Sequence, residues 1–244
     1  MSMYQVLLTF FIIILFLRSY IKNKLNLNRK VLISIEGNIG VGKTSMMRLL
    51  KNKYLDVAEF IYEPVDEWLN IKDENDNNLL DIFYKDKERW AYTFQNIAYI
   101  TRMNLIIDKI INSDKRIIII DRSLQADLNT FAKMLYDDGV LNLVEWNAYN
   151  KWNNFFEKNY GFMVNHKILY LRCQPSIAYE RMQMRGRGEE KNVSFSYLEL
   201  LHKYHDNWLL NNVNALIVDV SDDFITDKHN FNSIYHKIEN FINL

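Results

Sequence analysis

Short runs of β-branched and aliphatic residues alternate with longer amphipathic segments along most of the chain. The short runs predict strands at 31–35, 58–62, 116–120, 167–171 and 215–219. Their near-continuous Ile, Val and Leu character is typical of strands that are buried on both faces. Helical periodicity lies between and after them, at about 44–53, 86–112, 123–136, 141–158, 175–186, 194–210 and 228–242. The alternation predicts an α/β fold in which helices flank a five-stranded parallel sheet.

The first 30 residues depart from this pattern. Residues 6–17 (VLLTFFIIILFL) are almost entirely apolar, and five cations follow them, at Arg18, Lys22, Lys24, Arg29 and Lys30. The run is shorter than the roughly 20 apolar residues of a comfortable transmembrane helix. It lacks both the preceding basic residues and the small-residue cleavage site of a signal peptide.

We therefore predict that residues 1–30 form an N-terminal hydrophobic helix and a basic linker, and that the membrane is contacted through residues 3–20. Cations after an apolar segment hold that side in the cytoplasm, so the rest of the chain is expected there. The alternative is a helix that packs on the chain's own domain or on a partner, and the protein would then be cytoplasmic without an anchor.

Composition narrows the class of protein. A chain of 244 residues fits one α/β domain at 31–244 after the N-terminal segment. Lys+Arg and Asp+Glu are both 30, so the formal net charge is zero and nucleic acid is not an expected partner. The single cysteine, Cys173, has no partner for a disulfide, which fits a reducing compartment.

The segment ISIEGNIGVGKTSMM, residues 33–47, contains the clearest chemical motif. Gly37, Gly42, Lys43 and Thr44 fit the G-x-x-x-x-G-K-[ST] spacing between a predicted strand and a predicted helix. Such a loop directs successive backbone N–H groups at phosphate oxygens. The predicted phosphate-binding residues here are Gly37, Asn38, Ile39, Gly40, Val41, Gly42, Lys43 and Thr44.

This motif refines the expected fold to the P-loop NTPase type, with three layers. Lys43 would reach the β- and γ-phosphates of ATP or another nucleoside triphosphate, and the Thr44 hydroxyl would bind Mg²⁺. The loop serves GTPases, motors and kinases alike, so it predicts the donor and not the reaction.

Further motifs follow in order along the chain. They are YEPVDEW (62–68), NLLDIFYKDKERWAYTFQNIAYITR (78–102), DRSLQADLNTF (121–131), ERMQMRGRGEE (180–190) and LHKYHDNWLL (201–210). Together with the phosphate loop, they resemble the deoxynucleoside kinase family, most closely its deoxycytidine and deoxyguanosine kinase branch. The resemblance extends from about Val31 to the C-terminus. It implies transfer of the γ-phosphoryl group of ATP to the 5′-hydroxyl of a deoxynucleoside with Mg²⁺, in nucleotide salvage, by a homodimer for which 86–112 and 123–136 are candidate interface helices.

The resemblance assigns catalytic roles to Glu63, Asp121 and Arg122. By position alone, Glu63 is a carboxylate at a strand end, and Asp121 could be a helix N-terminal carboxylate. In the family, the glutamate of E-P-V is the general base for the 5′-hydroxyl. The D-R-S element implies that Asp121 binds Mg²⁺ and that Arg122 orients Glu63 and stabilises charge on the transferred group.

Two more segments are expected to contact the triphosphate. Arg181 and Arg185 lie one turn apart on a predicted helix, and Arg187 follows it. Such a run is usually a solvated surface, but the family's RxxxRGR segment is a lid that closes over the phosphates. VDVSDDF (218–224) resembles the family's adenine-contacting loop, with Asp222, Asp223 and Phe224 as candidates.

The resemblance also implies a nucleoside site. Tyr84 and Asp206 would bond the sugar 3′-hydroxyl, although the family has glutamate where we align Asp206, which shortens the reach. Gln95 would bind the base edge between Phe94 and Phe131. The walls of the pocket are expected to be Ile39, Val65, Trp68 and Leu80. The positions that set the specificity for the base are expected to be Ala98, Arg102 and Asp127.

An Arg–Asp pair beside the base offers a fixed acceptor for an exocyclic amine, which favours deoxycytidine, allows purine deoxynucleosides and disfavours thymidine. The alternatives within the fold are a thymidine kinase and a nucleoside monophosphate kinase. Two alternatives lie outside this fold family's kinases. A GTPase-like switch is disfavoured because the chain contains no guanine-reading N-K-x-D sequence. An inactive membrane-tethered nucleotide-binding module would not explain why Lys43, Glu63 and Arg122 are all present.

Overall fold

The computed structural model describes residues 30–191 and 193–242. The predicted hydrophobic helix and the membrane contact through residues 3–20 lie outside these ranges. Within them, no helix is both long and apolar enough to cross a bilayer.

A five-stranded parallel sheet forms the centre of the described chain, as the sequence predicts. Its strands are β1 (Lys30–Glu36), β2 (Ala58–Ile61), β3 (Ile117–Asp121), β4 (Val164–Arg172) and β5 (Ala215–Asp219). Their order is β2-β3-β1-β4-β5, and each neighbouring pair is parallel. The chain passes from β1 to the edge strand β2, returns to β3 beside β1, and then crosses to the other side of β1 for β4 and β5. The carboxyl end of β1 is therefore a switch point, where an open α/β sheet binds its ligands.

Helices connect the strands. They are α1 (Lys43–Tyr54), α2 (Val65–Asn70), α3 (Leu79–Lys85), α4 (Lys87–Asn112), α5 (Leu124–Ala126), α6 (Lys133–Asp137), α7 (Leu143–Asn159), α8 (Pro175–Arg185), α9 (Phe195–Leu209) and α10 (Lys228–Ile242). The predicted helix over 123–136 is continuous in space, but its middle, Asp127–Ala132, winds as a π-helix. The polar segment 71–78 lies between two short helices that the sequence analysis did not predict, α2 and α3.

Two separate apolar cores cover the two faces of the sheet. Alternate residues of β1 face opposite ways, because Ile33 and Ile35 belong to one core and Leu32 to the other. On the first face, α1, α8 and α10 pack on the sheet through Met46, Met47, Leu50, Ala178, Met182, Ile234 and Ile238. On the second, α4 and α7 pack through Phe94, Ala98, Tyr99, Tyr149 and Phe156. This arrangement is the predicted three-layer fold.

Side-chain caps fix where several of these helices begin. Asp86 accepts a hydrogen bond from the Arg89 backbone N–H at the start of α4, and Asn142 and Glu145 form a capping box at the start of α7. Ser123 accepts from the Ala126 N–H at the start of α5. The last cap sits directly after β3, so it also sets the path of the chain at the carboxyl edge of the sheet.

Candidate active site

Two cavities open at the carboxyl edge of the sheet. The first, called here the ring cavity because aromatic rings form much of its wall, has a volume of about 350 Å³ and lies between β2, α4 and the segment after α8. The second, called the loop cavity, has a volume of about 580 Å³ and lies over the turn between β1 and α1. Arg187 lines both cavities, so they meet beside this side chain.

The turn between β1 and α1 has the conformation that its glycines permit. Gly40 has φ +82°, and a Cβ there would lie 2.1 Å from the Ala178 carbonyl oxygen, so α8 packs against the turn too closely for a side chain. Gly42 has φ +103° and immediately precedes α1, whose N-terminus carries the positive end of the helix dipole. The predicted strand–turn–helix context of the phosphate motif is therefore present.

Lys43 turns back over this loop. Its ammonium group donates to the carbonyl oxygens of Gly37 (3.1 Å) and Asn38 (2.8 Å). Burial and, to a lesser extent, the nearby Arg122 cation lower the pKa of Lys43 to about 7, although Asp121 and Glu63 oppose the shift. A buried ammonium group held only by carbonyl oxygens is suited to accept an anionic partner.

Thr44 and Asp121 meet at the base of the loop cavity. The Thr44 hydroxyl donates to Asp121 Oδ2 over 3.1 Å. Asp121 Oδ1 is buried, and no described residue hydrogen-bonds to it. Burial raises the pKa of Asp121, although Lys43 opposes this. The two predicted metal ligands thus lie together, and no cluster of three or more His, Cys, Asp or Glu side chains occurs within the described ranges.

Glu63 lies directly beyond β2 at the ring cavity, with a quarter of its side chain exposed. Arg102 Nη2 donates to its Oε1 over 2.8 Å, and Arg122 Nε lies 3.6 Å from the same oxygen. Burial raises the pKa of Glu63, but Arg122, Arg102 and Lys43 outweigh it, so the pKa lies below its ordinary value. Glu63 is therefore an ionised carboxylate at neutral pH.

Arg102 joins Glu63 to Asp127. Its side chain is 2% exposed, and its Nη1 donates to Asp127 Oδ2. Burial lowers the pKa of Arg102, but Asp127 and Glu63 raise it more, so the guanidinium stays charged. Burial raises the pKa of Asp127, and Arg102 opposes that shift. Removing Arg102 would leave the Asp127 carboxylate buried without its ion-pair partner, whereas removing Asp127 would leave Arg102 paired with Glu63 alone.

Arg122 follows β3 in a strained conformation. Its φ is +66°, in the left-handed region that a residue with a Cβ rarely adopts. The backbone N–H donates to the Ile35 carbonyl (3.2 Å), and Nη1 donates to the Gly37 carbonyl (3.0 Å). The guanidinium carbon lies 4.7 Å from the centre of the Phe131 ring. Strain of this kind persists where the surrounding structure fixes it, often at functional sites.

Aromatic side chains form the wall of the ring cavity opposite Arg122. The Phe83 and Phe94 rings stack with their centres 4.6 Å apart, and Trp68 meets Phe94 edge to face at 5.4 Å. Trp68 Nε1 donates to the Thr101 hydroxyl, which fixes the indole against α4. Gln95, on the same helix, is 3% exposed and lines the cavity. The cavity is thus a flat-walled space with an amide and a charged pair at its inner end.

Helix α8 and the segment after it supply three cations to the loop cavity. Arg181 donates to the carbonyl oxygens of Val220 (2.7 Å) and Ser221 (2.9 Å), so it anchors the turn after β5. Arg185 forms an ion pair with Glu190. Arg181, Arg185 and Arg187 all line the loop cavity.

The turn after β5 approaches the phosphate loop. Phe224 is 2% exposed, and a Cβ added to Gly42 would lie 2.8 Å from its ring. Asp223 and Phe224 line the loop cavity. Asp222 does not line it and contributes a carbonyl oxygen, 3.3 Å from Arg181 Nη2.

The structure brings the predicted nucleoside residues together, with one exception. The ring cavity is lined by Ile39, Glu63, Val65, Trp68, Leu80, Tyr84, Phe94, Gln95, Ala98, Arg102, Arg122, Asp127 and Phe131. Asp206 is the exception and does not line it.

The predicted position of Asp206 at the sugar is corrected by its contacts. Its carboxylate accepts from Tyr170 (2.7 Å) and from Arg172 Nε and Nη2 (both 2.9 Å), and His202 lies 3.2 Å away. Asp206 sits on the face of α9 that packs against β4, and those strand residues satisfy it there. The linear match of LHKYHDNWLL could not show which face of the helix the carboxylate occupies.

Sequence reasoning missed several residues that line the ring cavity: Asp66, Leu69, Phe83, Glu190 and Tyr197, with Arg187 expected only at the phosphates. Glu190 lies in the same cavity as Tyr84, and electrostatic interaction with Tyr197, Glu190 and Glu63 adds to burial in raising the Tyr84 pKa. The signal for Glu190 was its place directly after the arginine-rich segment.

Comparison with known proteins gives the same picture across the whole domain. The family model described as deoxynucleoside kinase matches residues 33–243. The chain is similar to a probable deoxycytidine kinase of Fowlpox virus, with 39% identity covering 86% of this chain and 87% of the relative. It is 31% identical to the mitochondrial deoxyguanosine kinase of Xenopus laevis, covering 93% and 96% of the two chains. It is also 31% identical to the deoxycytidine kinase of Homo sapiens, covering 86% and 90%.

Proposed function

Because the chain belongs to the deoxynucleoside kinase family, we propose that the ring cavity binds a deoxynucleoside, with deoxycytidine preferred, and that the loop cavity binds ATP. The family is an enzyme family, so the chain is a deoxynucleoside kinase. The observation that carries the preference is the buried Arg102, which joins the Asp127 and Glu63 carboxylates at the inner end of the ring cavity.

Glu63 is the proposed general base. As the 5′-oxygen of the sugar attacks the γ-phosphorus, its proton passes to the Glu63 carboxylate. A bond forms between that oxygen and phosphorus, and the bond from phosphorus to the β,γ-bridging oxygen breaks, so that ADP leaves. Arg102 and Arg122 keep Glu63 ionised and so ready to accept the proton. A positioned base of this kind contributes about 10²–10⁴ in rate.

Cations on either side of the transferred group stabilise its charge. Arg122 lines the ring cavity, and its Nη1 donates to the Gly37 carbonyl of the phosphate loop. Further cations line the loop cavity, among them Lys43, Arg181, Arg185 and Arg187. In phosphoryl transfer, catalysis consists mostly of such positioning and charge stabilisation.

The oxygen atoms of Thr44 and Asp121 suit Mg²⁺. They are hard ligands at the phosphate loop, and Asp121 Oδ1 has no hydrogen-bond partner among the described residues. Mg²⁺ is usually held by one or two protein oxygens together with phosphates and water. When bound, it would neutralise charge on the β- and γ-phosphates.

The charged pair accounts for the preferred base. The Asp127 carboxylate is an acceptor, and cytosine presents an amino group at N4. Thymine presents a carbonyl oxygen at the corresponding position, and an oxygen facing a carboxylate leaves both acceptors unpaired. Purine deoxynucleosides carrying an amino group remain possible substrates. On the sugar, Tyr84 and Glu190 replace the predicted pair of Tyr84 and Asp206, since both line the ring cavity.

We also propose a membrane anchor and a homodimer. The apolar run at residues 6–17 anchors the chain in a membrane, and fractionation of chains with and without residues 1–30 tests this. A second copy of the chain packs on α4 and on the segment 123–136, the two candidate interface helices. Trp152, on the neighbouring α7, is 36% exposed and bonds to Asn96 of α4, which extends the apolar surface available to that second copy.

Turnover of deoxycytidine, deoxyguanosine, deoxyadenosine and thymidine with ATP and Mg²⁺ tests the proposed substrate. We expect kcat/KM to be highest for deoxycytidine and lowest for thymidine. A value for thymidine above the other three would overturn the proposed specificity and favour a thymidine kinase. Transfer only to nucleoside monophosphates would overturn the choice of acceptor.

A further inference from the structure

Glu36 is a buried carboxylate that neither cavity uses. It is the last residue of β1, directly before the phosphate loop, and none of its surface is exposed. Its Oε1 accepts a hydrogen bond from the Ser123 backbone N–H over 2.8 Å. Its Oε2 is buried without a hydrogen-bond partner among the described residues. A carboxyl group kept inside the fold at this cost calls for a physical reason.

Ser123 connects two functional segments. The residue before it is Arg122, whose backbone lies in the left-handed region. The residues after it begin the helix that carries Asp127 and Phe131 to the ring cavity, and the Ser123 hydroxyl accepts from the Ala126 N–H at its start. The Ser123 N–H therefore belongs to the peptide that joins the strained residue to the helix.

Three consecutive residues at the end of β1 hold this junction. The Ile35 carbonyl accepts from the Arg122 N–H, the Glu36 carboxyl accepts from the Ser123 N–H, and the Gly37 carbonyl accepts from Arg122 Nη1. Glu36 supplies the only side-chain acceptor of the three. A strained residue keeps its conformation only where its neighbours over-determine it, and these three bonds do so for Arg122.

We propose that Glu36 is a positioning residue for phosphoryl transfer, which acts through the Ser123 peptide to hold Arg122 in the working geometry. The proposal rests on the proposed function, in which Arg122 acts on the transferred group. Glu36 need not be charged for this role, because a carboxyl oxygen accepts the bond in either protonation state. Burial raises the pKa of Glu36, against the effects of Ser123, Arg122 and Ser34.

Three substitutions separate positioning from bulk packing. Glu36→Gln keeps an acceptor oxygen at the same reach, Glu36→Asp keeps the carboxylate but withdraws it by about one bond, and Glu36→Leu removes the acceptor at similar volume. Ser34→Ala is the control on the same strand: it removes a hydroxyl that contacts His166 and Glu36, but it leaves the hydrogen bond from the Ser123 N–H to Glu36 in place.

The measurements are kcat and KM for deoxycytidine with ATP and Mg²⁺, nucleoside binding by calorimetry, and the melting temperature, all on the full chain. Misplacing a catalytic group by about 1 Å can cost about 10²-fold in rate, so we expect that loss of kcat in Glu36→Leu and an intermediate loss in Glu36→Asp. Nucleoside binding should be nearly unchanged in both. In Glu36→Gln and in Ser34→Ala, kcat should stay near the wild-type value.

Each outcome decides the proposal. Wild-type kcat in Glu36→Asp and Glu36→Leu overturns it, and so does an equal loss in Glu36→Gln. A parallel loss of nucleoside binding and melting temperature in every Glu36 variant shows a purely structural role and also overturns it. If Glu36→Leu does not fold, the contrast between Glu36→Gln and Glu36→Asp decides. Failure of the wild-type chain to phosphorylate any nucleoside is a different result and overturns the proposed function instead.

Discussion

The ring cavity and the loop cavity are built in different ways. The ring cavity depends on buried side chains: Arg102 is 2% exposed, Phe94 is 8% exposed, and each is fixed by neighbouring charges or rings. The loop cavity depends on backbone groups and on a more exposed stretch of α8, where Met184 is 79% exposed and Arg185 pairs with Glu190. The first arrangement fixes which side chains meet a ligand, whereas the second fixes where backbone N–H groups point.

This difference explains what each cavity can recognise. A triphosphate is common to all nucleotide donors, and a backbone turn binds it without reading the base. A base is identified by its own donors and acceptors, which requires side chains held in one geometry. We therefore expect substitutions in the ring cavity to affect both chemistry and stability, and substitutions in the loop cavity to affect mainly the handling of phosphate.

The largest expected effect is at Glu63. Glu63→Gln preserves the shape of the side chain and an acceptor for Arg102, but it removes the proposed base. We expect kcat to fall by about 10²–10⁴ while deoxycytidine still binds. Steady-state kinetics and calorimetry measure the two quantities. Glu67→Gln, on the exposed face of α2, is the control and should behave as wild type. Near-normal turnover in Glu63→Gln would rule out the base and leave positioning as the source of catalysis.

The stability of the ring cavity depends on the pairing of Arg102. Asp127→Ala leaves its guanidinium buried with Glu63 as its one remaining carboxylate partner. Breaking a buried ion pair typically costs about 3–5 kcal/mol, and Glu63 keeps the expected loss near the lower limit, at about 3 kcal/mol. Urea unfolding measures it. The comparison is Asp222→Ala at the turn near the loop cavity, where the side chain is exposed and we expect a much smaller change. Similar losses in the two variants would contradict the contrast between the cavities.

The sequence predicted best what depends on local pattern. The five strands follow from short buried runs, and the phosphate loop follows from glycine spacing, because both are set by residues close together in the chain. The order of the strands was not predicted, since pairing depends on packing between distant segments. The π-helical turn at Asp127–Ala132 was missed for a related reason: it has the same apolar periodicity as the α-helix predicted there.

The acid proposed to contact the sugar, Glu190 and not Asp206, shows the same limit of prediction from sequence. Asp206 lies in a helix, and a match of letters does not show whether it faces β4 or the ring cavity. Glu190 lies in a short turn after Gly186 and Gly188, where no periodicity predicts the direction of a side chain. Glu36 was quoted within the phosphate motif but passed over, because only the fold brings Ser123 to it.

A smaller effect distinguishes these two acids by experiment. Glu190→Gln weakens the proposed bond to the sugar 3′-hydroxyl, and a hydrogen bond to a charged group is worth about 1.5–3 kcal/mol, so we expect KM for deoxycytidine to rise about tenfold or more. Asp206→Asn, in the network with Tyr170 and Arg172, should leave KM unchanged even if it lowers the melting temperature. The reverse result would return the sugar contact to Asp206.

The loop cavity can be tested by a binding measurement that does not depend on the rate of the reaction. In the empty site, burial and the Arg122 cation lower the pKa of Lys43 to about 7, so the amine is mostly neutral at pH 8. A bound triphosphate adds negative charge, which favours the ammonium form and raises that pKa. Binding of ATP at pH 8 should therefore take up most of one proton, and binding at pH 6, where Lys43 is already charged, should take up little through this group.

Calorimetry in two buffers of different ionisation heat measures the uptake. Lys43→Met should abolish it, while Lys53→Met, at an exposed position on the same helix, should leave it unchanged. Equal heats in the two buffers at pH 8 would mean that the carbonyl oxygens of Gly37 and Asn38 already hold a charged ammonium in the empty site. The charged groups of the loop cavity would then be in place before the ligand binds, as they are in the ring cavity. The two cavities would differ only in how exposed their residues are.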